Sequence, residues 1–308
     1  MKELTQLTRF ADRLGFLYLE KGLIEQHQTS VAYVTEKETI PIPAASLALL
    51  MLGPGTTITH AAIRNLADCN CLVVWCGDEG TRFYSVGRGG TYQADKLLRQ
   101  AELFCNVRTR AAVVRRMYEK RFGQPLEPGL TLEQIRGREG YRVRNAYRQA
   151  AEHFGLKWEG RNYDPGDWVA ADPLNRALSA ANACLHGLVQ AAIVTAGYSP
   201  AIGFIHTGKA LSFVYDIADL YKAAMIVPLA FQVVAQSERN VEQRSRLACR
   251  DLFHDTRLLE RVLPDIEEVL HGRDDSGTSP AVAAGRSEPM DDRAEDGDLP
   301  RPYDRPPP

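Results

Sequence analysis

Over the first eighty or so residues, hydrophobic positions come in short runs separated by turn residues, at 15–20, 30–35, 39–42, 72–76 and 82–86. Val, Ile, Thr, Tyr and Phe dominate these runs. Such residues suit a pleated, half-buried surface, so each run predicts a strand. Residues 60–67, after the turn Gly53-Pro54-Gly55, read instead as a helix. At Gly87-Arg88-Gly89-Gly90 the pattern changes, and from Tyr92 to Phe122 apolar residues fall three and four apart. A second helix is expected from Thr131, a capping-box residue with Gln134, to a stop at Gly155. A third starts at Asp172-Pro173, with Asp as cap and Pro in the first turn, and ends before Gly197. Its residues Leu174, Leu178, Ala181, Leu185, Leu188 and Ala192 form one continuous apolar stripe. Further helices are expected over 212–231, 241–254 and 256–270. The fold class that follows is α+β, a small N-terminal β-rich domain (1–86), a glycine-rich linker (87–91) and a larger all-α domain (92–271). Residues 272–308 hold 7 Pro, 4 Gly and few large apolar residues, so a disordered acidic tail is expected there.

Composition sharpens this picture through its charge distribution. The 308 residues carry a net charge of −2, but residues 82–161 hold 17 basic against 8 acidic groups, a net of +9. The tail carries −4 and the remaining body −7. A basic middle suits a polyanion partner, and solvated helix faces would give the same count. The six cysteines form no CxxC pair and read as reduced core residues. The N-terminus lacks a signal-peptide pattern, and the apolar stretches at 44–52 and 185–196 are too short or mixed to span a bilayer. A cytoplasmic protein with no membrane partner is expected.

Chemistry concentrates in residues 201–222, AIGFIHTGKALSFVYDIADLYK. A histidine, His206, stands in a glycine-flanked loop, and two aspartates, Asp216 and Asp219, follow on one face of an otherwise apolar helix. Carboxylates in such surroundings are costly without a cation or donors. A second candidate is Glu139, alone among Arg136, Arg138, Arg142 and Arg144, where it could equally neutralise a neighbouring arginine. One Glu, one imidazole and one Asp suit a hard divalent cation such as Mg2+ or Mn2+.

The 201–222 run resembles the CRISPR-associated adaptation integrases, the Cas-one family, in the version that works beside the Cascade type of interference complex (type I-E-like). Supporting matches are Leu52-Gly53-Pro54-Gly55-Thr56 with His60-Ala61-Ala62-Ile63-Arg64, Tyr163-Asp164-Pro165-Gly166-Asp167-Trp168, and Arg246-Leu247-Ala248-Cys249-Arg250-Asp251. They lie in order over roughly residues 10–270. The resemblance implies a β domain joined to a helical catalytic domain, with metal ligands at Glu139, His206 and Asp219 and a supporting acid at Asp216. It implies a metal-dependent nuclease on double-stranded and branched DNA that integrates short fragments with a small Cas-two partner. That assembly would be two homodimers around a partner dimer. Lys209 and Lys222 are candidate phosphate neighbours, and Arg64, Arg82, Arg161, Arg246 and Arg250 candidate DNA-backbone contacts. Two family tyrosines fall on Lys21 and His186. The competing readings are a branched-DNA repair endonuclease and a non-catalytic nucleic-acid scaffold.

Overall fold

In the computed structural model the described residues are 12–28, 30–77, 82–87, 94–160 and 172–272. They form eight strands followed, apart from a 3-10 turn at Ala44–Ser46 and one exception among the α-helices, by helices. The strands are β1 (Leu14–Leu19), β2 (Gly22–His27), β3 (Ser30–Val34), β4 (Thr39–Ile42), β5 (Leu47–Leu52), β6 (Thr56–Ile58), β7 (Leu72–Gly77) and β8 (Arg82–Gly87). The exception is α1 (His60–Asp68), capped by the Thr59 hydroxyl. The helical half holds α2 (Asp95–Cys105), α3 (Val107–Phe122), α4 (Leu132–Phe154), α5 (Pro173–Thr195), α6 (Ser212–Tyr221), α7 (Val227–Gln236), α8 (Val241–Asp255) and α9 (Leu258–His271). The α+β class and the order of its two halves are as expected.

The strands build two four-stranded sheets, ordered β1-β5-β7-β8 and β4-β3-β2-β6. In the first, β1, β5 and β7 run parallel, with Phe16 beside Leu49 and Leu49 beside Leu72. Every residue of β5 is buried, because both faces of this sheet are covered. Leu47, Leu50 and Leu52 face the second sheet and α1, packing with Ile24, Val31 and Leu66. Ala48, Leu49 and Met51 face the helices and join a core built on α5, α8 and α9. Phe16 of β1 meets Phe253 of α8 edge to face, with centroids 6.2 Å apart. The composition shift near Gly87 therefore marks a change of secondary structure, while packing runs through it. Gly87 itself belongs to β8; residues 88–91 of the expected linker and the tail from 273 onward lie outside the described residues.

α5 is the axle of the helical half, with eighteen buried residues, its Asp172 cap bonding Asn175 N–H and Pro173 in the first turn. By length and a mean hydropathy of 1.5, α5 and the segment Ser212–Gln236 are long and apolar enough to cross a membrane, a test that buried core helices also pass. In α5 that apolarity is used internally, since 89% of its apolar window is buried in the protein. α4 starts with the expected Thr131–Gln134 capping box and ends at left-handed Gly155. The expected 92–122 helix is two helices, broken at Asn106, whose side chain caps α3 by accepting from Arg108 and Thr109 N–H. Between α6 and α7 the chain widens into a π turn at Lys222–Ile226. Pro228, just beyond, supplies no backbone N–H and its ring crowds the turn before it, which favours a wider turn.

Candidate active site

The site begins in the loop between α5 and α6. Gln100 of α2, fully buried, grips the start of this loop by donating to the Ser199 and Ile202 carbonyls and accepting from Ser199 N–H. Gly203 then lies against the His206 carbonyl and Ser212; a Cβ there would come within 2.6 Å of the Ser212 carbonyl carbon, so only glycine lets the loop fold onto α6.

Asp216 fixes the loop. Its carboxylate is wholly buried and accepts from Phe204 N–H (2.6 Å), Ile205 N–H (3.1 Å) and His206 N–H (2.9 Å), and from His206 Nδ1 at 2.7 Å. A carboxylate surrounded by donors makes Nδ1 the protonated nitrogen and leaves the Nε2 lone pair free. The supporting acid expected at Asp216 thus orients His206, and Lys222 pairs elsewhere. One turn along α6, Asp219 has Oδ2 3.9 Å from His206 Nε2. Its Oδ1 accepts from Lys222 Nζ at 2.5 Å. Burial pushes the Asp219 carboxyl up, but Lys222 and Arg121 outweigh it and hold the group below the usual carboxylate value.

Glu139 arrives from α4. Arg142, one turn on, donates to both its oxygens at 2.8 and 2.9 Å. The sequence alternative, a carboxylate neutralising its neighbour, is thus met, yet Glu139 also faces the site. Arg121 of α3 stands between the acids, NH1 3.7 Å from Glu139 Oε1 and NH2 3.4 Å from Asp219 Oδ2. Three carboxylates (Glu139, Asp216, Asp219) and three cations (Arg121, Arg142, Lys222) so balance one another. Beside them opens a cavity of about 800 Å³ lined by Arg121, Glu139, Arg142, His186, Asp219 and Lys222, among others.

His186, on α5, packs edge to face on Tyr215 with centroids 5.2 Å apart, and its Nε2 is buried without a hydrogen-bond partner. Burial, then Lys222, with His206 adding and Asp219 opposing, pushes its pKa down to about 3. The folded imidazole stays neutral while the unfolded one binds a proton below about pH 6.5. Between those values the unfolded state holds more protons, so stability is lost as the pH is lowered. His186→Gln is expected to lose about 1–2 kcal/mol less stability than the unaltered chain between pH 7 and pH 5, read from urea midpoints. Equal losses would show that His186 titrates normally.

The other expected contacts divide. Lys209 is exposed on the loop and Arg64 is exposed on α1. Arg250 is exposed and pairs with Asp251 at 2.9 Å. Arg246 is not the surface contact expected: it is buried, its guanidinium 4.1 Å from the Tyr18 ring centroid at the seam of β1 and α8. Arg246 and Arg250 line a separate recess of about 470 Å³ there. Arg161 and the side chain of Arg82 lie outside the described residues. Lys21 occupies a left-handed turn between β1 and β2, with φ of 59°. Within the +9 segment, Arg110 and Arg116 serve packing by bonding backbone carbonyls of Phe204, Val269 and Leu270. Arg136 and Arg144 are exposed on α4.

Among the described residues no three His, Cys, Asp or Glu side chains already enclose a point where an ion would sit. The donor chemistry nonetheless fits a hard divalent cation. The imidazole of His206 is oriented by a carboxylate behind it and lies 3.9 Å from Asp219, and Arg121 links Asp219 to Glu139, so the donors are of the types that such an ion takes.

The sequence profile of the family described as CRISPR associated protein Cas1 matches residues 124–250. The chain is 49% identical over 271 residues to a CRISPR-associated endonuclease Cas1 of Thermus thermophilus, covering 88% of this chain and 83% of that protein. It is 45% identical over 261 residues to the CRISPR-associated endonuclease Cas1 of Escherichia coli, covering 84% and 85%. Among solved structures, a TtCas1–DNA complex superposes with a TM-score of 0.77 at 49% identity, covering 83% of this chain and 92% of that one.

Proposed function

This chain belongs to the CRISPR-associated Cas1 family, and from that premise we propose that it is a metal-dependent DNA endonuclease and integrase of CRISPR adaptation. Its reaction would be a transesterification in which the 3′-hydroxyl of a short DNA fragment attacks a phosphodiester at the repeat boundary. The observation that carries this reading is the arrangement of His206, held by Asp216 behind and open toward Asp219 in front.

Glu139, His206 and Asp219 are the residues to hold Mg2+ or Mn2+. When bound, the ion supplies polarisation of the scissile phosphate and stabilises charge developing on the attacking and leaving oxygens. The chain's own groups do the rest. Asp216 keeps the ring proton on Nδ1 and aims the imidazole. Lys222, whose side chain is 30% exposed, and exposed Lys209 offer positive charge to phosphate oxygens entering beside the acids. Tyr215 packs edge to face on both His186 and His206, and with His186 it forms part of the cavity wall. Hydrolysis and strand reversal differ only in the nucleophile admitted.

Fragment and repeat duplexes, branched DNA, the small Cas-two partner dimer and an assembly of two homodimers follow from the family resemblance, as does a cytoplasmic setting. The scaffold reading accounts for Asp216, which is satisfied wholly within the core, but gives no reason for Glu139 and Asp219 to line one cavity. The assay that separates these readings uses purified chain with and without the partner, labelled 3′-hydroxyl fragment, supercoiled repeat plasmid and a Holliday junction. Partner-dependent joining of fragment to repeat, dependent on divalent ion, is expected. Junction cleavage with no joining would favour the repair reading, and neither activity would favour the scaffold.

A further inference from the structure

Arg121 is absent from the residues that the sequence singles out, yet it is the most deeply buried cation at the site. Val114, Met117, Tyr118 and Arg121 fall three and four apart on α3 and are all buried, so the guanidinium comes in along the apolar stripe of its helix. Only 3% of its side chain is exposed. Its NH2 donates to the Asp216 carbonyl at 3.2 Å, and its Nε has no hydrogen-bond partner.

An arginine placed to tie one acid down makes close paired bonds, as Arg142 does to Glu139 at 2.8 and 2.9 Å. Arg121 instead stands back from two acids at once, 3.7 Å from Glu139 of α4 and 3.4 Å from Asp219 of α6. A single positive charge sits between two carboxylates from different helices, with one of its own bonds left unmade. That is the placement of a counter-ion.

We propose that Arg121 is a positioning residue that serves as the counter-cation of the ion-free site. It holds Glu139 and Asp219 at the separation that a divalent ion later uses, and by like charge it weakens the binding of that ion. The proposal rests on the metal reading of Glu139, His206 and Asp219. Two consequences separate it from a plain packing role. Without Arg121, Glu139 and Asp219 keep Arg142 and Lys222 but lose the one charge that stands between them, so the ion-free protein should lose stability that the ion restores. The ion should also bind more tightly, since a unit charge a few ångströms away in a partly buried site changes affinity by more than about tenfold.

The test uses the full chain and its Arg121→Met, Arg121→Gln, Arg121→Lys and Glu139→Gln variants. Mn2+ binding is measured by calorimetry, and Tm in chelator and in saturating Mn2+. The unaltered chain is expected to bind Mn2+ in a manner lost in Glu139→Gln. Arg121→Met is expected to bind at least about tenfold more tightly. Its Tm deficit in chelator, expected at about 5 °C or more, should shrink by at least half in Mn2+. Arg121→Lys, which keeps the charge, should stay within about threefold of the unaltered affinity. Arg121→Gln repeats the neutral comparison if the methionine variant does not fold in chelator. Neutral variants that bind no more tightly, or a deficit unchanged by Mn2+, overturn the role of Arg121 and leave the metal site standing. Absence of Glu139-dependent binding in the unaltered chain overturns the metal reading and the proposal with it.

Discussion

Asp216→Ala should destabilise the chain by about 3–5 kcal/mol, because it deletes one acceptor that serves four donors at once. The N–H groups of Phe204 and Ile205 lie in a core sealed by Phe213 and Phe104, where no water replaces the lost oxygen at low cost. Asp216→Asn should cost less, since one amide oxygen still accepts, but it places a donor where two N–H groups point. Urea denaturation at pH 7 reads both effects. The same substitutions free His206 to rotate, so joining activity should fall further than stability alone explains at temperatures where the variant remains folded. A loss under about 1 kcal/mol for the alanine variant would mean that the loop is held by Gln100 and Gly203 without Asp216.

The residues whose chemistry is local were legible in the sequence. The Thr131 and Asp172 caps, the helix start at His60 and the aspartates three apart on α6 all depend on neighbours within a few positions. What was missed depends on distant packing. β5 reads as an unbroken apolar run, since a parallel strand covered on both faces has no alternation to betray it. β2, GLIEQH, buries only Ile24 and carries little pattern at all. The helix break at Asn106 had a usable signal, an asparagine ahead of Arg108 and Thr109, hidden by apolar spacing that continues in phase across it.

Arg121 shows the same limit at the site. In the run Glu119-Lys120-Arg121 it looks like one more surface cation in a last helical turn. Its phase with Val114, Met117 and Tyr118 is the one local clue that it turns inward, unlike Lys120, which reaches Asp265 and Glu268 of α9. Charge totals mislead for a related reason. The +9 of residues 82–161 counts Arg110, Arg116 and Arg121 as though they faced solvent, although their guanidinium groups bond backbone or acids within the helical half.

In the proposed function Glu139, His206 and Asp219 act together as one metal-dependent centre. Each brings a donor from a separate segment, and each is held by a different partner, Arg142, Asp216 and Lys222. Loss of any one leaves too few donors to fix a divalent ion, while exposed cations such as Lys209, Arg64 and Arg136 still attract the DNA backbone. The most direct measurement is the Mn2+-dependent joining of a labelled 3′-hydroxyl fragment to repeat DNA by Glu139→Ala, His206→Ala and Asp219→Ala, alongside fragment affinity at fixed salt. All three are expected to lose at least about a thousandfold in rate, with affinity within about threefold of the unaltered chain. Full ion-dependent joining by any one of the three would contradict this joint role.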